Sequence, residues 1–272
     1  MAKGSLVISL LAIVSFVWYG EWVLGYQNAR GEFATCMITA LPAILLLTLR
    51  NVPWSHRAGC VMLALPVILV AGALTMSRMF LGALILMILV IATLQAWRRR
   101  LDLRQGFILT AGIVCALAAI AILVIAQQRG VSLTDDARPA IWDLAMRQIA
   151  AHPWTGTGYG RLADGDLYVH AFPNAGIWHP HNLLLGFAEQ AGIFGALGII
   201  AVFLALGREY WKLYRSADRA LSYIGVAGLA MLTGVVAKNM TDMFFVRECA
   251  LLFWSLNGIL LGYARHAVAP AR

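Results

Sequence analysis

The sequence predicts an all-α, polytopic helical membrane protein with about eight transmembrane helices and one long polar loop. Of its 272 residues, 61% are hydrophobic and only 12% are charged, and the mean hydropathy is +0.77. A soluble domain is nearer half apolar and a quarter charged. Apolar runs of about 20 residues recur along the chain, and each is long enough to cross the hydrocarbon core of a bilayer. The sequence therefore predicts that the protein lies in a lipid bilayer.

Eight apolar runs are interpreted as spans, separated by short polar connectors and by one long loop at 127–182. In chain order, the predicted spans are 5–22, 33–50, 59–75, 79–97, 106–126, 183–206, 221–238 and 249–264. No internal repeat or low-complexity tract divides the chain. Residues 1–272 are accordingly interpreted as a single membrane domain that contains the loop.

The distribution of basic residues predicts the orientation of these spans. Thirteen of the 21 Lys and Arg residues fall on one side, which the positive-inside rule assigns to the cytoplasm. The loop 127–182 then shares the opposite face with Arg30, Arg78 and Arg247. Because insertion topology and lipid headgroups account for the basic residues between spans, the net charge of +8 does not indicate a nucleic-acid partner.

The loop 127–182 is predicted to contain short helices. Arg138-Pro139 is typical of a helix start, and His152-Pro153 of its end. Between them, five apolar residues recur at helical spacing: Ile141, Trp142, Ala145, Met146 and Ile149. This face is expected to lie on the bilayer surface or to pack against the spans. Residues 156–160 are expected to form a turn, and residues 161–178, which show no helical period, are compatible with a short hairpin.

Two arginines on the loop side are candidate phosphate ligands. Arg78 lies at a span boundary and Arg138 at the predicted helix start, where backbone N–H groups also favour anions. A guanidinium fork matches phosphate oxygens in two places at once. For both residues the alternative is an interfacial anchor with no substrate role.

His181 is the best candidate for a general base. A neutral imidazole accepts a proton near pH 7, and a position at the membrane edge makes it accessible to a bound lipid. The alternative is that His179 and His181 only cap the following span and bond to loop carbonyls.

Acidic residues raise two further interpretations. Asp164-Gly165-Asp166 resembles the acidic pair with which many soluble glycosyltransferases hold a divalent metal, but ordinary turn chemistry is favoured. No metal site or cofactor is therefore expected. Acids within or beside spans favour a proton-coupled transporter as an alternative class. These acids are Glu21, Glu189, Asp242 and Glu248.

Four sequence patches follow one another between residues 26 and 198. They are Tyr26-Gln-Asn28-Ala-Arg30, Leu74-Thr-Met-Ser-Arg78, Arg138-Pro-Ala-Ile-Trp142 through His152-Pro-Trp-Thr-Gly156-Thr-Gly-Tyr-Gly160, and His179-Pro-His-Asn182-Leu-Leu-Leu185 followed by Gly192-Ile-Phe-Gly195. With these patches, the chain resembles the O-antigen ligase family, together with the related O-antigen polymerases and protein O-oligosaccharyltransferases. The third and fourth patches together are the most specific.

The resemblance implies a multi-pass glycosyltransferase of the bacterial inner membrane with its active site on the periplasmic face. The implied donor is a glycan on undecaprenyl diphosphate. In a ligase, the implied acceptor is a sugar hydroxyl on the lipid A–core oligosaccharide. Family members usually carry about ten to twelve spans, so the resemblance implies that the spans absent here would precede Met1.

The resemblance also implies roles for individual residues. Arg78 and Arg138 would hold the donor diphosphate, and His181, directly before the asparagine, would deprotonate the acceptor hydroxyl. The further implied substrate contacts are Arg30, His179 and Asn182. Base-assisted attack opposite the leaving diphosphate would invert the anomeric configuration, and two arginines on the diphosphate would make a metal unnecessary.

Several functions remain open on sequence grounds. A polymerase or a protein O-oligosaccharyltransferase would share these residues and differ in its acceptor. A transporter for polyisoprenoid-linked sugars would need polar residues in the span interiors, and the predicted spans 79–97 and 106–126 have few. A non-catalytic partner in envelope assembly would tolerate the loss of His181.

Overall fold

The computed structural model describes residues 30–42, 65–75, 77–98, 137–159, 161–173, 177–243, 245 and 247–268. Within these ranges the chain forms eight helices and no strand. They are α1 (Arg30–Ala40), α2 (Leu65–Leu74), α3 (Arg78–Trp97), α4 (Arg138–Ala151), α5 (Arg161–Ala171), α6 (Leu183–Arg215), α7 (Arg219–Asn239) and α8 (Arg247–Val268). The all-α prediction is confirmed for these residues. The predicted spans 5–22 and 106–126 lie outside them.

Three of the described helices are long and apolar enough to cross a membrane. They are Met79–Trp97 in α3, Leu183–Arg215 in α6 and Arg219–Asn239 in α7. All three coincide with predicted spans, and the α6 segment extends beyond the predicted end at 206. The protein is therefore a helical membrane protein. The count of eight spans, the periplasmic position of the loop and the single membrane domain stay predictions.

The chain folds as two compact units, 1–131 with 207–238 and 247–272, and 132–206 with 239–246. In the first unit, α1 packs against α2, α3 and α8. Its core contains the fully buried side chains of Phe33, Phe80 and Phe253. At the far end of α3, the Tyr214 hydroxyl donates to the Leu94 carbonyl over 2.9 Å, which ties the ends of α3 and α6 together.

The second unit is built from α4, α5, the first part of α6 and the segment 239–246. Ile141 of α4, Tyr168 of α5 and Ile177 form its apolar cluster. The start of α4 at Arg138 and its end before His152 were both predicted. On the predicted apolar face Ile141 and Ala145 are buried, whereas Met146 is exposed.

Residues 161–171 form helix α5, so the short hairpin with which 161–178 was compatible is wrong. Asp164-Gly165-Asp166 is part of that helix and not a turn. The helix gains its stability from tertiary contacts, since Tyr168 is fully buried and its hydroxyl donates to Glu189 Oε1 over 2.7 Å. Hydrophobic periodicity in a sequence does not reveal contacts of this kind.

Helix α6 is interrupted at Ala191 and Gly192, whose backbone angles are not helical. The loop after α4 bonds to this break. The Ile193 N–H donates to the Pro153 carbonyl over 2.8 Å, and the Thr157 N–H to the Glu189 carbonyl over 2.8 Å. These bonds satisfy backbone groups that a break in a helix would otherwise leave without a partner. The short segment 183–190, before the break, is thereby fixed relative to α4.

Candidate active site

His181 and Asp242 form the centre of the candidate site. His181 Nδ1 lies 3.2 Å from Asp242 Oδ1, and the two side chains are 23% and 10% exposed. An ionised carboxylate only accepts hydrogen bonds, so Nδ1 of a neutral His181 carries the ring proton. Its lone pair then lies on Nε2. The pair therefore leaves an imidazole nitrogen able to take a proton, on a ring that is still partly accessible.

His179 is buried beside this pair and bonds to the backbone of His181. The His181 N–H donates to His179 Nδ1 over 3.1 Å. The His179 ring is 3% exposed and lies edge-on to Trp178, with 4.4 Å between ring centroids. Burial, and then the neighbouring His181, lower the pKa of His179 to about 3, and Asp242 opposes this only in part. The ring is therefore neutral near pH 7, with its proton on Nε2.

Asn182 begins α6 by capping it. Its Oδ1 accepts the N–H groups of Leu184 and Leu185 over 2.9 and 3.1 Å, while its Nδ2 donates to the Met240 carbonyl over 2.8 Å. A side-chain oxygen at this position satisfies N–H groups that have no partner within the helix. Asn182 thus connects the start of α6 to the segment that carries Asp242. Its substrate contact stays a prediction.

Arg138 lies at the same segment, at the first residue of α4. Its Nε donates to the Thr241 carbonyl over 2.9 Å, and Thr241 directly precedes Asp242. The structure therefore brings together four of the residues singled out in the sequence: Arg138, His179, His181 and Asn182. Because Arg138, His181 and Asn182 each bond to one of the residues 240–242, one candidate phosphate ligand lies near the candidate base.

Two buried polar atoms in this region have no hydrogen-bond partner among the described residues. They are the Oγ1 of Thr241 and the Nε1 of Trp142. Trp142 lies one helical turn after Arg138 in α4. Buried donors without partners are uncommon, and water or a ligand commonly satisfies them. Both atoms belong to residues beside or bonded to Arg138.

Arg30 and Arg78 belong to the other unit, where they begin α1 and α3. The side chains of both arginines lie outside the described part of the structure, which therefore does not test their predicted phosphate and substrate contacts. Both roles stay predictions.

Comparison with known proteins assigns the family. The family model described as O-antigen ligase matches residues 61–200, about half of the chain. This chain belongs to the O-antigen ligase family. A protein named O-antigen ligase from Pseudomonas aeruginosa is 40% identical over 91 residues, a stretch that covers 31% of this chain and only 19% of that relative. The resemblance seen in the sequence motifs is thereby confirmed.

The O-antigen ligase match contains Arg78, Arg138 and the His179–Asn182 segment, and it ends before Asp242. In the sequence, Asp242 stood out only as an acid beside a span and was not connected with His181. An intramembrane acid is a functional candidate by default, and this was the signal that could have found it. Its partner was not readable, because 61 positions separate the two residues.

Glu189 and Asp166 both have protein contacts in this member of the O-antigen ligase family. Glu189 is buried and accepts the Tyr168 hydroxyl. Asp166 is exposed on α5, and its backbone carbonyl lies 2.6 Å from His170 Nδ1. Within the described ranges, no three His, Cys, Asp or Glu side chains lie close enough together to hold a metal ion.

Proposed function

We propose that this protein is a membrane glycosyltransferase of the O-antigen ligase type. It moves a glycan from undecaprenyl diphosphate to a sugar hydroxyl of the lipid A–core oligosaccharide. The observation that carries the proposal is the bond between His181 and Asp242, which leaves His181 Nε2 as a base. Membership of the O-antigen ligase family supports the reaction class.

The reaction follows from the pair. The acceptor hydroxyl gives its proton to His181 Nε2 while its oxygen bonds to the anomeric carbon. The bond from that carbon to the diphosphate oxygen breaks, and the diphosphate leaves with the electron pair. Attack from the opposite face inverts the anomeric configuration. Asp242 stabilises the imidazolium that forms, because a carboxylate 3.2 Å from Nδ1 favours the charged ring.

The diphosphate gains negative charge as it leaves, so cations that contact it lower the barrier more than they tighten ground-state binding. Arg138 and Arg78 are assigned this role. Arg138 is bonded to the residue before Asp242, which is consistent with a leaving group close to the base. With two guanidinium groups on the diphosphate, the proposal needs no metal ion. The predicted substrate contacts at Arg30 and Asn182 belong to the same proposal.

The proposed location is the periplasmic face of the bacterial inner membrane, with the chain crossing the bilayer several times. The bias of basic residues toward the other side supports this orientation. Nucleotide sugars are not available on that face, which favours a lipid-linked donor. Two of the acids that favoured a transporter have protein partners instead, since Asp242 is bonded to His181 and Glu189 accepts from Tyr168.

The acceptor separates a ligase from a polymerase. Purified full-length chain in lipid nanodiscs is given a glycan on undecaprenyl diphosphate, with and without lipid A–core. Glycan transfer only when lipid A–core is present supports the ligase, whereas growth of the lipid-linked glycan without it supports the polymerase. A protein O-oligosaccharyltransferase would transfer to an added protein acceptor instead.

The role of the arginines is tested in the same assay. Arg138→Ala and Arg78→Ala are expected to lose transfer at normal protein levels. Arg138→Lys and Arg78→Lys are expected to lose most of it, because lysine keeps the charge and not the bidentate fork. Full activity of both lysine variants would contradict bidentate recognition of the diphosphate.

A further inference from the structure

His181 has a backbone conformation that a residue with a Cβ rarely adopts. Its φ is +51°, in the left-handed region. Such a conformation persists where surrounding contacts fix it. The His181 N–H donates to His179 Nδ1 over 3.1 Å, so a side chain two residues earlier bonds to the backbone at the strained position.

His179 is suited to accept this bond at all pH values near neutral. Its ring is almost fully buried, lies edge-on to Trp178, and is 4.2 Å from the His181 ring between centroids. Its lowered pKa of about 3 keeps Nδ1 unprotonated. A charged His179 would place a proton on Nδ1 and remove the acceptor that the His181 N–H requires.

We propose that His179 is the positioning residue of His181. Its Nδ1 fixes the backbone of His181 in the left-handed conformation, from which the imidazole reaches Asp242 and keeps Nε2 directed at the acceptor hydroxyl. His179 contacts no reacting atom in this role, which differs from the substrate contact predicted from the sequence. The inference rests on the proposed function, since it takes His181 as the base.

Three substitutions at His179 separate this role from the alternatives. His179→Asn places an amide oxygen close to the position of Nδ1 and keeps the acceptor. His179→Gln carries its oxygen one bond farther along the side chain, and His179→Leu has no acceptor. His170→Leu is the matched control, because His170 is an exposed histidine on α5.

The experiment measures kcat and KM for donor and acceptor with the full chain in nanodiscs. His179→Asn is expected to keep kcat within about threefold of wild type. His179→Gln and His179→Leu are expected to lose about tenfold or more in kcat with both KM values unchanged, which is the usual effect of one lost hydrogen bond. His170→Leu is expected to match wild type.

Three results would overturn the positioning role: wild-type kcat in His179→Leu, a raised KM with unchanged kcat, or a His179→Asn variant no better than His179→Gln. If His179→Leu fails to fold, the comparison of His179→Asn with His179→Gln decides. His181→Ala, measured alongside, separates the positioning role from the proposed function. Activity in His181→Ala removes His181 as the base of the proposed reaction and the positioning role with it, whereas an inactive His181→Ala with a fully active His179→Leu removes only the positioning role.

Discussion

His181 and Asp242 meet at 3.2 Å although 61 positions separate them in the chain. The contact joins the turn before α6 to the segment after α7. It fixes the tautomer of His181, and Asn182 reinforces it through its bond to the Met240 carbonyl. The base of the proposed reaction is therefore assembled by tertiary structure from two segments, each of which lies next to a membrane helix.

Replacing Asp242 should lower the rate of transfer without removing His181. Asp242→Asn keeps the size of the side chain and removes the charge that stabilises the imidazolium. We expect kcat to fall by about 100-fold, within the range that a general base contributes. Initial rates with saturating donor and acceptor measure this. A wild-type rate in Asp242→Asn would show that the carboxylate has no part in the reaction.

The break in α6 depends on two glycines, one in the loop after α4 and one in α6, and each lies against the backbone of the other segment. Gly156 and Gly192 both have positive φ, and a Cβ at either would collide with backbone atoms of the other segment. We expect Gly156→Ala and Gly192→Ala each to destabilise the protein by about 2 kcal/mol or more. Thermal unfolding in nanodiscs checks this.

Gly198→Ala is the matched control for those two variants. A Cβ at Gly198, also in α6, meets no atom within 4 Å. Because alanine favours the helix, this variant is expected to unfold at or slightly above the wild-type temperature. Equal stability of all three alanine variants would show that the break does not depend on the two glycines.

The lowered pKa of His179 predicts how stability depends on pH. Its folded value of about 3 lies below the ordinary value of 6.5, so the unfolded chain binds the proton more readily. The contribution of neutral His179 is complete above pH 6.5 and decreases as the pH falls toward 3. At pH 5 the loss is about 2 kcal/mol.

Unfolding temperatures at pH 7.5 and pH 5 test that loss for wild type and His179→Asn. Wild type is expected to lose more stability than the variant, because asparagine does not titrate. An equal fall in both proteins would show that His179 does not stay neutral in the fold.

The bond between Tyr168 and Glu189 should stabilise α5 without contributing to chemistry. Tyr168→Phe removes only the hydroxyl and leaves the buried Glu189 carboxylate without this donor. We expect a loss of about 1 to 3 kcal/mol in unfolding free energy. The transfer rate of the folded variant is expected to stay near wild type, and a lost rate at full stability would assign Glu189 a role in the reaction.

The sequence was a good guide where an element depends on local signals. The long apolar runs predicted α3, α6 and α7, and Arg138-Pro139 with His152-Pro153 predicted the ends of α4. Local signals did not predict the elements whose structure depends on tertiary contacts. Helix α5 depends on the burial of Tyr168, and the break in α6 lies inside a long apolar run that contains no proline.

In the candidate site, too, local sequence signals predicted some features and tertiary contacts decided the others. His181 was singled out because it stands at the edge of a predicted span, and Arg138 because it stands at a predicted helix start in the loop. The pairing of His181 with Asp242 was not predicted, nor was the hydrogen bond that His179 Nδ1 accepts from the His181 N–H. Both depend on distances and burial. A charge or hydropathy pattern contains neither quantity.

The most direct test of the central claim is the loss of His181 in cells. Wild type, His181→Ala and the control His170→Ala are expressed in a strain that lacks its own O-antigen ligase, and the extracted lipopolysaccharide is resolved on a gel. At equal protein levels, a ladder is expected from wild type and from His170→Ala, and none from His181→Ala. A full ladder from His181→Ala would contradict His181 as the base of the reaction.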